Sequence, residues 1–182
     1  VVEWGEENNP NFIIASYYIA WCYFNIQEYK KALNQFNDVI DYANKNNESK
    51  EAQAVSKRAR MELVQTYAKI GNPSQAWAYF QKVGGDLSYK MLVRLADLYY
   101  ELGSWDESIL VYHKLQALDI ENYAKNNGDE LCYYQHQITN AVISSKPKAD
   151  QVKEMKRQLA LYKKFVSETT HAEQKIKQCT QD

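Results

Sequence analysis

The sequence predicts an all-α chain built from about four antiparallel helix hairpins. Three observations predict it. Apolar residues recur at intervals of three and four, and no stretch alternates as a half-buried strand would. Only 6 Gly and 3 Pro interrupt 182 residues, which leaves room for long helices. One large-small-large phrase is also written three times: Tyr23, Ala32, Phe36; Tyr67, Ala76, Phe80; and Tyr99, Ser108, Tyr112.

The breakers cut the chain in order. A first helix opens at Pro10 and covers 10–25, and a second covers 28–46, up to the polar run "NKNNES". A longer helix over 49–70 stops at "GNP". Pro73 then opens the next helix, where its missing N–H costs nothing, and Gly84-Gly85 close it. Residues 87–102 form a helix ended by Gly103, and residues 105–118 follow. "DIENYAKNNGD" reads as a polar loop. Helices at about 130–144 and 148–178, split by "SSKPKAD", complete the chain. The hairpins so defined are about 10–46, 49–84, 86–118 and 128–180, read as a single domain over 1–182. The opening "VVEWGEENNP" carries no Met, so the chain reads as a piece of a longer protein.

The phrases agree beyond their anchors. Ile19-Ala20, Leu63-Val64 and Leu95-Ala96 precede the tyrosines, and Val39, Val83 and Leu115 follow the second aromatics. The small residue of each second helix lets the first approach closely. The aromatics wedge between one pair and the next, so a lone hairpin cannot bury its own apolar surface and neighbours must stack. This pattern over residues 12–118 resembles the tetratricopeptide repeat (TPR) family. The Leu-Gly turn of "YYELGSW" and the Ile-Gly turn of "YAKIGNP" fit it; the first repeat has Gln27 where Gly is usual. The family's frequent first Trp is replaced by Ser16, Arg60 and Leu92. Ala32, Ala76 and Ser108 stand 44 and 32 residues apart, against a usual period of about 34. The surplus falls in "NKNNESKEAQA", which predicts a long helix after it. More weakly, 62–85 and 95–115 resemble TPR proteins of the bacterial cell envelope, outer-membrane-associated lipoproteins and gliding-motility components among them. That likeness implies a periplasmic or outer-membrane-associated scaffold.

The resemblance implies a right-handed superhelix (an α-solenoid) whose first helices line a concave groove for a partner peptide or helix. Carried over position by position, the groove holds Tyr17, Trp21, Phe24 and Asn25 from the first hairpin. Arg58, Met61, Gln65, Ala68 and Lys69 come from the second, and Lys90, Val93, Asp97, Tyr100 and Glu101 from the third. The face runs from aromatic through basic to acidic, and aromatics and Arg are typical anchors of protein contacts. Tyr17 and Trp21 have a second reading, as packing against an N-terminal flank or further repeats. The alternative function is accordingly a structural module that stacks on more repeats or on a second copy.

Other chemistry has little support in the sequence. A net charge of −1 argues against a mainly electrostatic grip on nucleic acid. No apolar run approaches the roughly 20 residues of a membrane span. Cys22, Cys132 and Cys179 form no CxxC pair and suggest no disulfide framework. Cys132 and His136 share a helix face at ligand-compatible spacing, with no third ligand nearby in sequence. Neither a nucleophile motif nor a Gly-rich phosphate loop is present, so no enzyme activity and no cofactor or metal are expected. "NES" at 47–49 matches a glycosylation acceptor only as a short pattern. In the last helix Val152, Met155, Leu159, Tyr162 and Val166 form a stripe, widened by Leu161 and Phe165, expected to cover the open end of the stack. This end is mildly basic, which reads as a solvated helix face.

Overall fold

The structure is a computed structural model that describes residues 11–121 and 130–168, the last seven of these as helix backbone alone. The chain divides into two compact units, Val1–Arg94 and Leu95–Asp182, the division falling inside one helix. The described residues form helices joined by short turns, with no strand.

The first unit contains α1 (Phe12–Asn25), α2 (Tyr29–Lys45), α3 (Lys50–Ile70), α4 (Ala76–Gly84) and the start of α5 (Ser88–Glu101). Short 3-10 turns over Pro73–Gln75 and Gly85–Leu87 flank α4. The local chemistry explains the boundaries. Ser49 caps α3, its Oγ accepting from the Ala52 N–H at 3.2 Å. Asn72 opens the next turn, its Oδ1 accepting from the Ser74 N–H at 3.0 Å with Pro73 inside. As the surplus residues predict, α3 runs to 21 residues against 14 for α1 and for α5.

α1 packs on α2, and both pack on α3. The small residues Ala32 and Ala76 are fully buried, as are Phe36 and Phe80. Val39, Ile40, Leu63 and Val64 are buried as well. Tyr23 departs from its siblings: it stays half-buried, with the Lys31 ammonium 5.8 Å from its ring centroid.

Arg60, at the position where the resemblance expects Trp, joins three helices. Its Nε donates to the Val83 carbonyl of α4 at 2.8 Å, Nη1 to Ser56 Oγ of α3 at 2.6 Å, and Nη2 to Asn44 Oδ1 of α2 at 3.1 Å. Val83 lies in the last turn of α4, where carbonyls lack helical partners and a cation is favoured. Burial pulls the guanidinium below its ordinary pKa, and Asp86 opposes that shift.

The second unit contains the rest of α5, α6 (Trp105–Glu121), α7 (Leu131–Ser144) and α8 (Lys148–Glu168). Ser108 is fully buried and donates its hydroxyl to the Ala96 carbonyl at 3.2 Å, so a polar residue serves where the other hairpins use Ala. Leu95, Val111, Tyr112, Leu115, Leu131 and Tyr134 are buried in the same unit. α6 packs on α7, and α7 on α8.

Two expectations are corrected here. α6 does not stop at 118; it continues through Glu121, because Asp119, polar in the sequence, is buried on the helix's inner face. The stripe of α8 does not face inward: Val152, Met155, Leu159 and Leu161 are all about half exposed. Glu154 is the side chain turned in. Its carboxylate accepts from Gln158 Nε2 at 2.8 Å and Arg157 Nη1 at 3.3 Å, donors from its own helix that offset its loss of water. Tyr162, Phe165 and Val166 lie outside the described side chains.

Candidate functional site

The candidate residues lie on α1, α3 and α5, the first helix of each recognised hairpin. On α1, Tyr17 and Trp21 sit one turn apart and are half-buried. Both meet Phe36 of α2 edge-on, at 6.1 and 6.0 Å between ring centroids. Trp21 also meets Phe24 edge-on at 5.3 Å, and Phe24 meets Tyr29 at 5.4 Å. These rings therefore divide their surface between the hairpin interior and solvent. Asn25 is exposed.

The more open face of α1 and its C-cap carry Tyr18, Cys22 and Ile26, none of them a groove candidate in the sequence. Tyr18 is 61% exposed and Ile26 66%. A signal existed. The 14 residues of α1 include no charged side chain, yet only Ile13, Ser16 and Ala20 are buried.

On α3, Arg58 and Lys69 are exposed at either end of the face, while Met61, Gln65 and Ala68 are half-buried between them. Gln65 Nε2 donates to Glu62 Oε2 at 3.0 Å. Glu62 was not anticipated, and it interrupts the basic face. Burial pushes its carboxyl above the ordinary range, against the opposing pull of Arg94 and Gln65.

Lys90 on α5 is exposed and Val93 half-buried. Farther along, Asp97 and Tyr100 are half-buried and Glu101 is exposed. Tyr100 meets Trp105 edge-on at 5.3 Å, so Trp105 covers the turn between α5 and α6. Asp97 Oδ1 accepts from Tyr112 Oη at 2.6 Å and from Tyr133 Oη at 2.9 Å, two phenols from two other helices. Burial first, and then Asp97, push the Tyr112 phenol far above its ordinary range. Burial also raises Tyr133, against hydrogen bonds from Gln137 and Tyr112. Tyr133 was missed because it lies on α7, outside the recurring phrase.

The Cys132–His136 pair gains no metal-binding support. Cys132 is disulfide-bonded, which corrects the expectation from cysteine spacing, and Asn140 Nδ2 lies 2.8 Å from His136 Nε2. Among the described residues no group of three or more His, Cys, Asp or Glu could hold a metal ion. No described helix is long and apolar enough to cross a membrane. His171 and Cys179 lie outside the described residues.

A tetratricopeptide repeat family model matches residues 15–43 and 91–118. Neither a curated protein nor a solved structure matches the chain. The first matched stretch spans most of α1 and α2, and the second most of α5 and α6. Each therefore takes in one of the hairpins whose small residue, Ala32 or Ser108, is fully buried beneath its paired helix. Repeat pattern, helical hairpins and family model agree: the chain carries tetratricopeptide repeats at these two stretches.

Proposed function

We propose that the chain is a non-catalytic adaptor whose first-helix faces, each within its own unit, hold an extended or helical segment of a protein partner. Tetratricopeptide repeats mediate protein–protein interaction. One observation carries the reading to particular residues. Apart from Ile19, Tyr23 and Val83, which are half-buried, the side chains that recur from hairpin to hairpin are buried, whereas varying ones such as Arg58, Lys69 and Glu101 stay at the surface. Recurring residues hold the fold; varying exposed ones can discriminate between partners. The narrower setting, a bacterial envelope or motility complex, rests on the likeness of residues 62–85 and 95–115 alone.

The test is a crosslinking pull-down from the source cell, followed by affinity measurement of the recovered partner. Arg58→Glu with Lys69→Glu should weaken binding at least roughly tenfold, as expected when two charge contacts become repulsive. Unchanged affinity would remove the α3 face from the reading.

A second reading, self-association, is favoured by α1, whose uncharged face leaves Tyr18, Cys22 and Ile26 exposed. An uncharged face can meet a copy of itself without like-charge repulsion. Light scattering over a dilution series decides this, because a concentration-independent monomer rules it out.

A further inference from the structure

The carboxylate of Asp97 is held in a manner that calls for a ligand. Its Oδ1 is fixed by two phenols, Tyr112 Oη at 2.6 Å and Tyr133 Oη at 2.9 Å. Both donors are neutral, so they fix the position of the negative charge without cancelling it. No ion pair among the described residues includes Asp97. A half-buried carboxylate held by neutral donors alone still carries a full charge with which a cation can pair.

The two phenols differ in a way that opens the site on one side. Tyr112 is fully buried and stands edge-on to Tyr133 at 6.2 Å, bracing it from within. Tyr133 is 39% exposed, and the hydrogen bond by which its hydroxyl holds the carboxylate lies at the surface. Tyr134 also meets the Tyr133 ring edge-on, at 5.7 Å. A fixed carboxylate beside an accessible, braced aromatic ring offers a cation both an ionic hydrogen bond and a π face.

We propose that Asp97 and Tyr133 form the seat for a basic side chain, Arg or Lys, of the partner segment. This rests on the adaptor reading above and narrows it, making the partner segment basic where it crosses the second unit. A neutral or acidic side chain gains neither contact, and an acidic one would meet Asp97 as a like charge. Arg gains more than Lys, because its planar guanidinium can stack on the ring while donating to the carboxylate.

The test uses the full chain and an array of acetylated ten-residue peptides whose central residue is fixed as Arg, Lys, Gln or Glu, the flanking positions being randomised. Central Arg and Lys should be retained over central Gln by roughly tenfold, from one ionic hydrogen bond and one cation–π contact. Asp97→Asn should abolish that preference while leaving retention of Gln peptides in place. Tyr133→Ala, at a partly exposed position, should reduce it; equal melting temperatures by circular dichroism establish that both variants are folded. Peptides retained without any basic preference, or a preference that survives both substitutions, would overturn this seat and leave the adaptor reading standing. Retention of no peptide of any class would overturn both.

Discussion

The turns that close α3 and α5 are spelled almost alike, Ile70-Gly71-Asn72-Pro73 and Leu102-Gly103-Ser104-Trp105, but each needs its glycine for a different reason. Gly103 has φ 73°, a left-handed conformation, and a Cβ built there would meet Trp105 only at 3.7 Å, an ordinary contact. Gly71 has φ −75° and ψ 162°, which any residue can adopt. Its Cβ would instead fall against the ring of Tyr67, with Cζ at 2.6 Å. That ring cannot readily swing aside. Its hydroxyl donates to the Asn72 carbonyl at 2.8 Å, and its face stacks on Tyr79 at 5.0 Å. One glycine answers to its backbone and the other to a neighbour. A third turn completes the comparison: in the first hairpin Gln27, a residue with a full side chain, takes the left-handed position at φ 63°. The family model matches the two hairpins with left-handed turns, and the α3–α4 hairpin, with its extended turn and 9-residue α4, lies outside the matched stretches.

Substitution separates the roles of the two glycines, with urea unfolding as the measure. Gly71→Ala should cost the most, about 2–3 kcal/mol, because overpacking against a fixed ring forces a backbone or side-chain shift. In a Tyr67→Ala background most of that extra cost should vanish, since the clash is with the ring itself. Gly103→Ala should cost about 1 kcal/mol, from left-handed backbone alone, and Gly103→Asn less than Gly103→Ala. The smallest effect should be a gain: Gln27→Gly should stabilise by about 0.5 kcal/mol, the relief of left-handed strain less the added freedom of the unfolded chain. If Gly71→Ala costs no more than Gly103→Ala, the two glycines do the same job after all.

The helix boundaries were legible because the breakers are few and each acts locally. Gly, Pro and capping residues need only their immediate neighbours to work, so the ends of α1 to α5 fall within two residues of expectation, apart from the 3-10 turn at Pro73. The end of α6 was not legible, because Asp119 reads as a loop residue until its burial is known. The stripe of α8 failed for a related reason: apolar spacing identifies a face, but not whether a neighbour covers it. Among the candidate site residues, the exposure of Arg58 and Lys69 followed from spacing on a helix with a clear inner side. On α1, which is apolar on every side, the same reasoning marked Tyr17 and Trp21 and passed over the more exposed Tyr18. Tyr133 lies 36 residues from the Asp97 it holds and belongs to no recurring phrase, so no local pattern could have paired them.

Arg60 gives the first unit a mechanical character that a tryptophan in its place would not. A large ring holds its neighbours by filling volume and tolerates small slips, because one dispersion contact replaces another as the surfaces slide. A guanidinium holds by direction, and here its acceptors on α2, α3 and α4 must all be in line together. A slip of α4 along α3 by a single residue would take the Val83 carbonyl out of reach and leave a half-buried cation short of an acceptor. The joint between these helices therefore works as a latch rather than a bearing: stiff up to a threshold, then released.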